Sequence, residues 1–219
     1  MSGTEESWRI SPSPSEFTWK GQQALARVHA LNERCLELLT QSARGDQQSP
    51  AFVHQSRGLW RGLNAAARKR AAQMPFILMD VHFREAQWWR GAQSSRSSQR
   101  SLLTPEMVFK GKLAAELMRE TLMLAWNTVS MDRRVACLLF GMAPAVSRII
   151  ADYGPQDVER IAARYRAHLL PRWHDFPAYW NNLLMAARDN DEAALEESRL
   201  HGVLMIGGAL LPLLEGKAV

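Results

Sequence analysis

A mainly α fold, a helical bundle with short helix-turn-helix-like elements, is what this sequence of 219 residues predicts. Apolar residues recur at spacings of three and four along most of the chain, the period of one helix face. Capping residues, prolines and glycines punctuate those runs at the places where helices start and stop. Only PFILMDVHF, residues 75–83, is an apolar run that periodicity cannot assign, so a short strand is allowed near 76–83.

Residues 1–15 carry two Ser-Pro steps and few apolar side chains, and are expected to be a disordered tail. From Glu16 to about Ala43, the positions Trp19, Leu25, Val28, Leu31, Cys35, Leu38 and Leu39 form one helical face, which Arg44-Gly45-Asp46 interrupts. A second helix is expected from Pro50 to Leu63, with Phe52, Val53, Leu59 and Trp60 inward. Asn64 caps a third, AAARKRAAQM, rich in strong helix formers and stopped by Pro75. Adjacent Trp88 and Trp89 point in different directions on any regular element, so at least one of them is expected to meet a second surface or a partner. Residues 91–104, opening GAQSSRSSQRS, read as a Ser-rich linker between an N-terminal helical domain, 16–90, and a second one, 105–219.

Thr104-Pro105-Glu106 starts the second half with a capping hydroxyl, a proline at the first helical position and an acid in the first turn. The helix that follows, to about Ser130, is apolar over so wide an arc that it must lie centrally or be shared between subunits. Asp132 caps a helix to Phe140, Gly141 suits its left-handed end, and Pro144 opens the next, through Tyr153. Gly154-Pro155 turns the chain into a helix carrying Val158, Ile161, Ala162 and Tyr165, which Pro171 ends. Helices at Asp175–Arg188 and from Asp191 to about Ile206, the first capped by Asp175, complete a half without any strand signal.

Charge is unevenly spread. The net charge is +5, but residues 1–104 hold 14 Lys+Arg against 8 Asp+Glu and residues 105–219 hold 13 against 14. Of the 27 cations 22 are arginine, a bias that fits an anionic partner and equally a GC-rich genome. Cys35 and Cys137 are far apart, each in an apolar helical pattern, which points to reduced thiols and a cytoplasmic setting. The N-terminus lacks the apolar core of a secretory signal. The uncharged run from Leu200 to Leu214, broken by glycines and Pro212, falls short of the roughly 20 residues of a membrane span and reads as a buried or partner-facing helix.

No glycine-rich phosphate loop is present, which argues against a nucleotide enzyme. The six histidines include no pair at helical spacing for a metal, and no cofactor is expected. His174-Asp175 beside Arg172 reads as part of a Pro-bounded connection in PRWHDFPAYW rather than as an acid–base unit. The chain is therefore not expected to be an enzyme. Arg68-Lys69-Arg70 is the densest basic run, either a solvated face or a phosphate contact. The short helices from Asp132 to His168 have the compactness of a helix-turn-helix reader, with Arg148, Arg160, Arg164 and Arg166 as its basic groups. Asp152, Asp157 and Glu159 lie among them.

The segment from Leu122 to Trp173, LMLAWNTVSMDRRVACLLFGMAPAVSRIIADYGPQDVERIAARYRAHLLPRW, resembles the central part of FlhD, a subunit of the bacterial flagellar master transcriptional activator. The resemblance rests on Leu124, Ala125, Asp132, Arg133, Ala136, Gly141, Met142, Val146, Ile150, Ala151, Pro155, Val158, Ile161, Ala162, Arg172 and Trp173. The tail from Asp189 to Leu210 is similar to the family's C-terminal helix. The likeness covers about the last hundred residues; the first hundred have no counterpart. It implies a homodimerising regulator subunit that binds promoter DNA together with an FlhC-like zinc-binding subunit, away from any membrane. The oligomer interface is then expected at Leu117, Leu124, Trp126 and Leu204, and DNA contact at Arg68, Lys69, Arg70, Arg148, Arg160, Arg164 and Arg166. The alternative is a helical protein–protein interaction component, such as a secretion-system accessory or adaptor protein.

Overall fold

The structure, a computed structural model, describes residues 14–45, 49–93, 108–109 and 111–214. The expected N-terminal tail (to residue 13), most of the Ser-rich linker and the Thr104-Pro105-Glu106 start signal lie outside the described residues. Eleven helices and one two-stranded sheet make up the described chain. The first five helices are α1 (Pro14–Arg44), α2 (Ala51–Gln55), α3 (Arg57–Gly62), α4 (Ala65–Ala71) and α5 (Ala86–Gln93). The second half holds α6 (Gly111–Met131), α7 (Arg133–Phe140), α8 (Pro144–Ala151), α9 (Pro155–Arg164), α10 (Pro177–Asp189) and α11 (Glu192–Leu214). Strands β1 (Met79–Asp80) and β2 (Leu170–Pro171) pair antiparallel, Met79 opposite Pro171.

Most boundaries sit where the local chemistry puts them. The Asn64 side chain accepts a bond from the Ala67 N–H at 2.8 Å, satisfying one orphan donor of α4. Asp132 caps α7 through bonds from the Arg134 and Val135 N–H groups, and Gly141 ends it at φ +51°. Pro144 and Pro155 occupy first turns, where a missing N–H costs nothing. The expected helix over 50–63 is split at Ser56, whose hydroxyl donates to Asn181 Oδ1 of α10.

Three expectations are corrected between 164 and 177. The helix from Pro155 stops at Arg164 and not at Pro171, because Tyr165 and His168 turn inward to pack edge-on and tilted against Trp88. A 3-10 turn (Arg166–His168) then leads into β2, so this half does contribute a strand. At two residues it is too short to show any alternation. Asp175 caps nothing; α10 begins at Pro177, with Phe176 before it.

Residues on both sides of the Ser-rich stretch share one continuous core. Helix α6 lies at its centre, packed on α1, α7, α8 and α9, and α10 bridges to α3, α4 and α11. The first half has no separate apolar centre because Val28, Cys35 and Leu36 of α1 face the same interior as Leu117 and Met118 of α6. Each such side chain removed from water contributes about 1.5–3 kcal/mol. Trp88 and Trp89 both enter this core. Trp88 stacks on His82, and Trp89 stacks on Phe83 and donates to the His82 carbonyl, so neither reaches a second surface.

Two buried polar side chains tie the irregular segment 72–80 into the fold. Asn32 of α1 donates to the Ala72 and Phe76 carbonyls and accepts from the Leu78 N–H at 2.7 Å. Arg172 donates through Nε to the Ile77 carbonyl and through Nη2 to the Phe140 carbonyl, and its own N–H reaches the Leu78 carbonyl. Both residues work by satisfying backbone groups that leave regular secondary structure away from water.

Candidate functional site

The expected basic footprint is only partly offered to solvent. Arg70 folds back onto the Ala187 carbonyl at the end of α10, through Nε at 2.8 Å and Nη2 at 2.6 Å. Arg68 donates to the Leu63 carbonyl, which leaves Lys69 as the exposed member of the cluster. A cation beside late-helix carbonyls is favoured by the helix dipole, so Arg70 has an internal role without any ligand.

Of the second basic set, Arg160 pairs with Asp157 at 2.6 Å and Arg148 donates to the Pro144 carbonyl in its own helix. Arg164 sits 5.4 Å from the Tyr165 ring centroid, a cation–π contact, and Arg166 is exposed without an ion pair among the described residues. Helices α8 and α9, joined by Asp152–Gly154, do form a compact pair, and the outer face of α9 is polar.

The residues expected at an oligomer interface separate sharply. Leu117 and Leu124 of α6 are buried in the chain's own core, the first completely. They cannot face another subunit, because α1, α7, α8 and α9 already surround α6. Trp126 is half-buried, with its indole N–H on the Tyr153 carbonyl at 2.8 Å. Leu204 of α11 is 72% exposed.

Leu204 belongs to a larger feature. Leu200 at 58% and Leu211 at 57% are exposed on the same helix, and the sequence Leu200, Leu204, Gly207, Leu211 steps by four, three and four. That is the heptad spacing of a helix–helix seam. Gly207 and Gly208 adjoin the seam, and a Cβ on either would meet nothing within 4 Å. Phe176, also exposed, extends the patch through its edge-on contact with His201, 6.2 Å between centroids. No Asp, Glu, Lys or Arg occurs from Leu200 to Leu214. The opposite face of α11 is buried: a Cβ on Gly202 would fall 2.1 Å from the Phe76 ring, so only glycine lets α11 seat this closely. Helix α11 is thus held firmly from behind while presenting an apolar stripe outward.

A second assembly, unmarked in the sequence, is a chain of two histidines across the two halves. His82 Nδ1 faces Glu85 Oε1 at 2.8 Å, and His82 Nε2 faces His168 Nδ1 at 2.9 Å. With His82 donating to the carboxylate through Nδ1, its Nε2 accepts from the His168 Nδ1–H. His82 is held at φ +49°, an uncommon conformation for a side-chain-bearing residue. Burial, and secondarily His82, lower the pKa of His168, with Glu85 opposing. A histidine depressed in the folded state contributes fully above its unfolded value near 6.5 and loses that contribution as pH falls below it. Unfolding free energy should therefore decline between pH 7.5 and 5.5, and His168→Gln should flatten that decline; an unchanged slope in denaturant titrations would remove His168 as the cause. Among the described residues no hydroxyl or thiol nucleophile is bonded to this pair, and there is no cluster of three or more metal-ligating side chains.

Cys35 is buried and its thiol pKa is pushed strongly up by burial; Cys137 is half-buried, and neither forms a disulfide. Among the described residues no helix is long and apolar enough to cross a membrane. No family model, no curated protein and no solved structure matches the chain.

Proposed function

We propose that this chain is a helical interaction component that assembles through the exposed face of α11, with a second copy of itself as the occupant. The observation that carries this reading is the heptad-spaced stripe Leu200, Leu204, Gly207 and Leu211 on a helix whose other side is locked into the core. An uncharged face offers nothing for an acidic or basic partner to recognise, whereas a two-fold pairing sets the same apolar patch against itself. The adjoining glycines let two backbones approach closely. A helix seated on the core with an apolar outer face suits a scaffold or adaptor rather than an enzyme.

Sedimentation velocity across a concentration series tests it. The wild-type chain should sediment as a dimer, and Leu204→Glu should shift it to monomer with unchanged helical content, because a charge in an apolar seam must be desolvated without a partner. A wild-type monomer at every concentration, or a dimer indifferent to Leu204→Glu, would contradict the reading.

A second reading, the FlhD-like regulator subunit acting on promoter DNA with an FlhC-like zinc-binding subunit, is favoured by one observation. Among the described residues, Arg164 at the end of α9 and Arg166 in the 3-10 turn that follows form no ion pair. It predicts promoter-fragment binding that weakens steeply with salt, and a smaller salt slope for the Arg164→Ala/Arg166→Ala variant. A dimer that binds no DNA with or without a zinc-binding partner leaves the interaction component alone.

A further inference from the structure

A second surface feature, independent of the α11 seam, centres on Arg172. It is the one Lys, Arg, Asp or Glu in the buried class among the described residues, at 6% exposure. Its guanidinium is incompletely matched. Nε and Nη2 bond the Ile77 and Phe140 carbonyls, but the nearest carboxylate oxygen, Asp80 Oδ1, stands 3.6 Å from Nη2, beyond hydrogen-bond reach. That oxygen is itself buried without a hydrogen-bond partner. Burial is the main influence lowering the Arg172 pKa, only partly offset by Asp80. A buried cation in this condition is costly, and the cost falls when an anion completes its shell.

Nη1 has no hydrogen-bond partner among the described residues. It lies beside Gly141 and Ile206: a Cβ on Gly141 would stand 3.1 Å from Nη1 and 3.3 Å from Ile206 Cγ2. Gly141, Ile206 and Arg172 all line a cleft of about 230 Å³ between the 170–175 segment and α11. Trp173 in its wall is held at φ +51°, a left-handed conformation unusual for tryptophan, of the kind that collects at ligand sites. Exposed Arg84 adds a second cation at the rim, while Asp80 and Asp175 add two negative charges. Met205, Ile206 and Ala209 give the α11 side an apolar lining.

We propose that this cleft binds a small monocarboxylate, its head group on Arg172 Nη1 and Arg84 and its apolar body against α11. The two rim carboxylates set the charge. They balance Arg172 and Arg84 and repel a dianion more strongly than a monoanion, which favours a carboxylate over phosphate. The guanidinium donates a charge-assisted bond to the carboxylate, in a site too narrow to keep the anion fully hydrated.

The test is a titration of the full chain with sodium hexanoate, sodium benzoate and inorganic phosphate, followed by chemical shifts of the Trp173 indole and Ala209 methyl. Hexanoate or benzoate should bind saturably, with Kd of about 1 mM or tighter. Ala209→Phe fills the cleft without touching Arg172 and should weaken binding at least about tenfold. Arg84→Met should weaken it several-fold, with helical content intact in both. Shifts that rise linearly without saturation, equal affinity in Ala209→Phe, or phosphate binding tighter than hexanoate would each overturn the assignment.

Discussion

Arg172→Met should destabilise the fold by about 3–5 kcal/mol, the cost of removing one side of a buried charged network. The substitution strands the Ile77 and Phe140 carbonyls and leaves Asp80 Oδ1 beside an apolar side chain. The methionine chain can fill much of the arginine stem's volume, so the loss reports the missing hydrogen bonds and charge more than a cavity. Against a total of 5–15 kcal/mol for a typical domain, this would bring the protein close to unfolding at room temperature. Urea unfolding followed by tryptophan fluorescence measures it. A loss under about 1 kcal/mol would mean that water replaces the guanidinium at little cost.

Asn32→Leu should have a comparable effect by a different route. Asn32 is completely buried and uses both its amide N–H groups and its carbonyl oxygen on the backbone of residues 72–78. Leucine is nearly isosteric, so packing survives while one N–H and two carbonyls lose their partner in the interior. Each orphaned group costs about 1–3 kcal/mol. Because those groups belong to one segment, the loss should also appear locally, as faster amide exchange at Leu78 than elsewhere in the core. Exchange accelerated uniformly would place the effect on the whole fold instead.

These two residues show where sequence reading reaches its limit. Helix starts and stops are local events, and Asn64, Asp132, Gly141 and Pro144 announce them within four residues. The pairings made by Asn32 and Arg172 span 32 to 95 residues, and nothing near either residue marks its partner. The same holds for His82 and His168, which meet only because β1 and β2 bring their flanking segments together. Clustered charge misleads for a related reason: Arg68-Lys69-Arg70 is basic in sequence, yet Arg70 spends its charge on the end of α10.

Burial is the other divide. The apolar arc from Leu122 to Val129 marks a central helix in sequence, but it does not say whether a second subunit or the chain's own helices cover it. In the fold, α1, α7, α8 and α9 do so, which moves Leu117 and Leu124 from interface to core. Along α11 the two faces are similarly apolar, so sequence alone gives no outward side. Gly202 settles it: its close seat under Phe76 fixes the inner face and turns Leu200, Leu204 and Leu211 to the surface.

The assembly through α11 is tested most directly by a single cysteine at its centre. In a Cys137→Ser background, Leu204→Cys places a thiol on the seam, and Ser130→Cys, exposed at the end of α6, serves as control. Under mild oxidation at low micromolar protein, Leu204→Cys should convert rapidly and nearly completely to a covalent dimer, while Ser130→Cys should cross-link slowly and in proportion to concentration. Equal and concentration-limited cross-linking at both positions would contradict the pairing of α11 with its copy.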